Sequence, residues 1–331
     1  SLPIPGEESA WNVIVQKMQL AAQNKEAPWD ILIGPTPFLE PGALAPLGLI
    51  TPLDDLLPAA VFSDMYAAVN QEVRWTGDGK AYALPWWTDV FGFIYRPSML
   101  KEALGTEEPP KTWDEVLSYS EKLKAHYGDK IAAFGADWNW GHRMFLPMFN
   151  TFSQKTFTDK GVLNLDDPGA RKTLEYIAKL YTYMPATSAE PLGSSKAFQS
   201  GAVATEIYWQ AQVLRAIQAG QPEDDIVILP THSANKEAAL HFMINCMYSD
   251  RGVFEVNVNQ WKITPFKSAI AHLEKTNGLP SWMPGLLPPL EVTEPIPCNP
   301  AFLNVENPLL KEELEKMLLQ GQDIDTTLAN L

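Results

Sequence analysis

A chain of 331 residues is longer than one small core requires and suits two lobes. Its 25 Lys and Arg stand against 40 Asp and Glu, a formal charge of −15, which argues against nucleic acid or anionic lipid as a partner and disfavours an anionic ligand. No run of 18 apolar residues occurs, so nothing reads as a membrane span.

The opening Ser1-Leu2-Pro3-Ile4-Pro5-Gly6 has neither the basic start nor the apolar stretch of a signal peptide, an absence that does not separate a mature exported chain from any other. Trp11, Ile14, Val15, Met18 and Ala22 then share one helical face. Asp30-Ile31-Leu32-Ile33-Gly34 reads as a short buried strand ending in a Gly-Pro-Thr-Pro loop. A strand pair is predicted at Ala81–Leu84 and Phe91–Arg96. Thr112-Trp113-Asp114-Glu115 is a capping box, opening a helix to about His126 with Gly128 just past its end. Asp167-Pro168 opens another, with Asp as cap and Pro at the first helical position. Its apolar positions are Leu174, Ile177, Tyr181 and Met184.

Ala202–Ile207 and Ile226–Leu229 read as strands; Asn235 to Tyr248 and Leu309 to Leu319 read as helices. Pro284 to Pro300 is proline-rich and reads as an irregular surface excursion. Alternating strands and helices imply α/β layers with largely parallel sheets. The two cysteines are Cys246, in an apolar run that suggests a buried thiol, and Cys298. They form no disulfide framework, and no Cys/His cluster has metal spacing, so no metal or cofactor is expected.

Five stretches together resemble the carbohydrate-binding proteins of ABC importers, in the extracellular solute-binding protein family that includes maltose-binding protein. They are Ala27-Pro28-Trp29-Asp30-Ile31-Leu32-Ile33-Gly34, continuing at Gly48 to Asp54; Asp78-Gly79-Lys80-Ala81-Tyr82-Ala83-Leu84-Pro85-Trp86; and Pro109 to Glu115. Ala197-Phe198-Gln199-Ser200-Gly201-Ala202-Val203-Ala204 with Trp209, and Asn235-Lys236-Glu237-Ala238-Ala239-Leu240-His241-Phe242, complete the set. The resemblance runs from Pro28 to about Phe266 in order and spacing.

The resemblance implies a two-lobed α/β periplasmic-binding-protein fold with three crossings between lobes. They fall near Asp89–Val90, Leu229–Pro230 and Trp261–Ile263. Residues 1–89 and 231–262 would form lobe 1, and 90–230 and 263–331 lobe 2. Closure by hinge motion around the ligand is implied too. The sequence departs from the family where Leu229-Pro230-Thr231 runs straight into His232-Ser233-Ala234, without the usual glycine-rich loop and strand. That departure predicts a discontinuity, with residues omitted, between Leu229 and Asn235. The partners implied are a carbohydrate ligand and the importer's membrane permease. The expected protein is an extracytoplasmic monomer, periplasmic or lipid-anchored.

A pyranose has a C–H face and an equator of hydroxyls, so its binding needs flat apolar surfaces and polar edges. Eleven tryptophans supply the first. Trp86, Trp87 and Asp89 lie at the first crossing; alternation along a strand lets at most one of the two tryptophans stack on ligand. Asp89 matches a family position that hydrogen-bonds sugar hydroxyls, or it caps a turn. Trp209 matches a family tryptophan that stacks on sugar, or it covers the second lobe. Trp138, Trp140 and Arg143 lie in the most polar-aromatic segment, either ligand-facing or a loop around a buried ring. Trp261, at the third crossing, and Thr36 and Phe38, after the first strand, complete the candidates. Trp11, Trp29, Trp75, Trp113 and Trp282 read as packing.

No catalytic residue is expected. A glycosidase would need two carboxylates at a tryptophan-lined cleft. A polyamine-binding protein would use related aromatic boxes with carboxylates. Neither Gly-x-Ser-x-Gly nor a phosphate-cradling loop is present; Gly77-Asp78-Gly79-Lys80 is a turn before a strand.

Overall fold

The computed structural model describes residues 11–24, 40–138, 141–222, 227–238, 262–280, 283–292, 295–299 and 309–331. The expected strand at Asp30–Gly34 lies outside them. Before the first strand come helices α1 (Trp11–Gln23), α2 (Glu40–Leu44), α3 (Ala59–Ser63) and α4 (Ala67–Glu72). There follow β1 (Pro85–Tyr95), α5 (Pro97–Leu104), α6 (Trp113–Tyr127), β2 (Ala132–Ala136), α7 (Gly141–Phe152) and α8 (Pro168–Tyr181). Then come α9 (Gly193–Gln199), β3 (Val203–Trp209), α10 (Ala211–Gln218) and β4 (Val227–Ala238). Helices at Lys267–Lys275, Pro289–Val292, Lys311–Gln320 and Ile324–Asn330 follow.

Local chemistry sets the ends of the central helices. Thr112 Oγ1 accepts from the Glu115 amide at 3.1 Å, and the Glu115 carboxylate reaches back to the Lys111 amide. Gly128 ends α6 at φ 64°, where an L side chain is disfavoured. The Asp167 carboxylate accepts from the Gly169 amide at 2.8 Å and starts α8. Buried Thr173, Leu174, Ile177 and Leu180 mark the face α8 turns inward.

The sheet has the order β2-β3-β1-β4. β1 pairs antiparallel with both β3 and β4, and only β2 and β3 are parallel. This corrects the expectation of largely parallel pairing among the described strands. β1 is a single strand of 11 residues, and the chain returns along each of its edges in the opposite sense. The expected strand at Ala81–Leu84 reduces to a bridge between Ala81 and Arg74.

The helix expected from Asn235 is also corrected in its first four residues. They continue β4, with Asn235 opposite Asp89 and Ala238 opposite Pro85. The long edge of β1 offers backbone partners that this segment satisfies. β4 runs unbroken from Val227 to Ala238, across the position of the expected discontinuity. Residues 239–248 of that helix lie outside the described residues.

Two large apolar clusters form. The larger joins Phe91, Phe134, Phe145, Phe149, Leu174, Ile177 and Leu314. The other joins Leu53, Phe62, Val69, Val73, Leu84, Ile263, Phe266, Leu273 and Leu290. Adjacent residues of β1 serve different clusters: Val90 packs in the second and Phe91 in the first. Ile263, Phe266, Leu273 and Leu290 pack with the 53–84 segment. Backbone bridges Thr88–Ile263 and Met65–Phe266 bring them there, and Asp64 accepts from both Ser268 N and Ser268 Oγ at the start of the Lys267–Lys275 helix.

Candidate ligand-binding site

The first wall rises on β1. Gln210, fully buried just past β3, clamps this strand: its amide donates to Val90 O at 3.2 Å and its Oε1 accepts from Val90 N at 2.8 Å. Its Nε2 donates to Asp89 Oδ1 at 2.6 Å. The same carboxylate holds Lys262, whose Nζ donates to Oδ1 at 2.9 Å and Oδ2 at 2.7 Å. The ammonium also lies 4.8 Å from the centre of the Trp87 ring. Both charged side chains are largely withdrawn from water, Lys262 15% and Asp89 13% exposed. Removing either partner strands the other charge in a poorly solvated place.

The second wall is built at the carboxyl end of β3. Trp209 is partly buried, opposite Phe91 in register, and meets that ring edge-on at 6.0 Å. The guanidinium carbon of Arg143, on α7, lies 4.4 Å from the indole centre. That of Arg215, exposed on α10, lies 5.3 Å away. Arg143 approaches Asp137 at 3.5 Å, and the Tyr208 hydroxyl donates to the same carboxylate at 3.5 Å. The indole N–H of Trp209 is buried and finds no acceptor among the described residues. The indole N–H of Trp138, closed into the core, is in the same state.

Beneath this wall lies a polar network. Glu206 is fully buried; it accepts from Gln212 Nε2 at 2.8 Å and from Ser194 Oγ at 3.5 Å. Burial, aided by the nearby Asp137 carboxylate, pushes its carboxyl up to about 8 against the opposing hydrogen bonds. Burial and the same Asp137 push the Tyr208 phenol up as well. The Arg96 guanidinium donates to Phe198 O at 2.7 Å and lies over the Phe198 ring.

Of the expected residues, Trp87 and Asp89 stand together on the first wall, and Arg143 and Trp209 together on the second. Trp138, read as either ligand-facing or buried, is 1% exposed and packed in the larger core with its ring edge-on to Tyr181. Of Trp86 only the backbone is described, within β1. Thr36, Phe38, Trp140 and Trp261 lie outside the described residues. Sequence reasoning did not single out Gln210, Lys262 or Arg215. Lys262 and Gln210 meet Asp89 across separations of 173 and 121 residues, although each follows a tryptophan that was singled out.

The model of the bacterial extracellular solute-binding protein family matches residues 6–253, about three quarters of the chain. The chain belongs to this family. It is 26% identical over 200 residues to a probable ABC transporter-binding protein of Deinococcus radiodurans, a match covering 56% of this chain. The match spans about half the length of that relative, 47%.

Among solved structures, the chain is similar to the GacH receptor of Streptomyces glaucescens, solved unliganded and in complex with acarbose and an acarbose homolog. The TM-score is 0.76 at 17% identity, over 97% of this chain and 86% of that one. It is also similar to maltose-bound MalE3 of T. maritima, with a TM-score of 0.77 at 17% identity, over 96% and 86%. The fold is therefore the two-lobed α/β fold of these binding proteins. No described helix is long and apolar enough to cross a membrane.

Proposed function

We propose that the protein captures a mono- or oligosaccharide between its lobes and delivers it to the membrane permease of an ABC importer, outside the cytoplasm and without turnover. The carrying observation is Trp209, a partly open aromatic surface one residue from the Gln210 that holds Asp89. A flat ring and a fixed carboxylate meet the needs of a pyranose. The family, and the sugar ligands printed for the two solved neighbours, agree with this reading.

In the same reading, one lobe comprises the 53–84 and 263–290 segments and the other the core from Phe91 to Tyr208 with Leu310 to Met317. The two apolar clusters support this division. Among the described residues, Trp87, Asp89, Arg143 and Trp209 are the proposed ligand contacts. Thr36, Phe38, Trp86, Trp140 and Trp261 remain proposed contacts on the strength of the resemblance.

A glycosidase would need two carboxylates open to substrate. Here Asp89 is held by Lys262, Asp137 is 3% exposed beside Arg143, and Glu206 is fully buried. The test is calorimetry with maltose, longer maltooligosaccharides and monosaccharides, alongside Asp89→Asn. The parent should bind at least one carbohydrate. Asp89→Asn should lose about 1.5–3 kcal/mol, unevenly across deoxy analogues. No binding to any carbohydrate overturns the reading.

A further inference from the structure

We infer that Lys262 fills, with its own ammonium, an ammonium subsite made by Asp89 and Trp87, and thereby confines the ligand at this wall to uncharged groups. The inference rests on the sugar-binding reading only for the identity of that uncharged ligand.

The subsite has the parts a primary ammonium requires. Both oxygens of Asp89 lie within 2.9 Å of Nζ, and the Trp87 ring lies 4.8 Å from it. A carboxylate and an aromatic face acting on one cation, at side chains only 13% and 15% exposed, make a strong cation site. The tether is short and fixed. Ile263, the next residue, exchanges backbone hydrogen bonds with Thr88, its O accepting at 2.8 Å and its N donating at 3.3 Å. Lys262 therefore meets Asp89 intramolecularly, at an effective concentration a free amine must outcompete.

The charges follow from this. Asp89 and Lys262 sum to zero, so a cationic ligand would bring a second positive charge to a position already holding one. An anionic ligand would face Asp89. A hydroxyl asks for neither change, because a carboxylate accepting from Lys262 and Gln210 keeps lone-pair capacity for another donor. Lys262 is thus a specificity-determining residue, and a polyamine is excluded by occupancy of the site that would have bound it.

The experiment is chemical rescue. The parent, Lys262→Ala and Lys262→Gln are titrated with propylammonium and with 1,4-diaminobutane at constant ionic strength, by calorimetry and by melting temperature. Lys262→Ala, which vacates the stem, should bind propylammonium about tenfold or more tighter than the parent does. Adding Asp89→Asn to it should abolish the gain. Lys262→Gln, which keeps the stem, should gain less. If Lys262→Ala is too unstable to titrate, restoration of its folded state by propylammonium supports the inference, and destabilisation that propylammonium does not relieve overturns it. Equal amine affinity in parent and variant, or a gain that survives Asp89→Asn, also overturns it. Maltooligosaccharide binding by the parent is measured alongside. Its absence counts against the sugar reading alone, while failed amine rescue in a sugar-binding parent counts against the role of Lys262 alone.

Discussion

β2 and β3 run parallel and in register, Ala136 beside Ile207, so Asp137-Trp138, just past β2, and Tyr208-Trp209, which close β3, lie at the same end of the sheet. Each pair offers a hydrogen-bonding group followed by an indole. Their fates differ. Trp138 is closed into the core against Tyr181 of α8, whereas Trp209 stays partly open beside Arg143 and Arg215. Both rings stand at the same end of the sheet, and the elements packed over it bury one. A carboxyl-terminal strand position therefore does not by itself leave a ring open.

The sharpest way to break this comparison is to truncate the buried ring. Trp138→Ala should cost about 3–5 kcal/mol of stability in urea unfolding, as large core truncations do. The folded fraction should bind sugar as the parent does. A stable Trp138→Ala with weakened binding would place Trp138 at the ligand and erase the contrast.

Trp209→Ala should act the other way round. Loss of a flat binding surface worth about 1.5–3 kcal/mol should weaken sugar binding roughly ten- to a hundredfold. Its stability loss should be smaller than that of Trp138→Ala. Trp209→Phe should recover part of the affinity. Parent-like affinity in a folded Trp209→Ala would make both tryptophans packing residues.

The third test concerns the network under the β3 end. The folded-state value of Glu206, about 8, lies above its ordinary 4.5. Between these values the folded protein keeps a proton that the unfolded chain has released. This group's contribution is therefore fully present below about 4.5 and is lost as pH rises to about 8. The slope is at most about 1.4 kcal/mol per pH unit. Glu206→Gln cannot ionise and should remove that slope, so the parent-minus-variant stability should decline with pH across the window. A flat difference would mean that Glu206 reaches water.

The smallest effect is expected far from both indoles. Thr112→Ala removes the cap of α6 and should cost about 1 kcal/mol of stability with sugar affinity unchanged. A change in affinity would show that α6 is coupled to the Trp209 end, and that the two strand ends are not independently supported.

Much of the fold was legible in the chain. The Thr112-x-x-Glu115 box, Asp167-Pro168 and Gly128 act through hydrogen bonds and backbone conformations spanning a few residues, and the helices start where expected, although α8 ends at Tyr181, short of Met184. Sheet direction was less legible, because alternation of strand and helix does not say that the chain returns antiparallel along both edges of β1. Asn235 to Ala238 carry a plausible helix start yet form strand, since the open edge of β1 overrides local propensity. In the site, the aromatic-rich segments pointed to Trp87, Asp89, Arg143 and Trp209, while the burial of Trp138 depended on α8 lying over it.

Residue chemistry along the chain was thus sufficient for helix ends and for apolar faces. Packing settled which indole remains open and which carboxylate is claimed. Lys262 and Asp89 are 173 residues apart, and nothing local to either specifies the other. They meet because the chain returns to β1 through the backbone bridge of Ile263 with Thr88. An ion pair depends on distance in space and on exclusion of water, and both exist only after the chain has closed on itself.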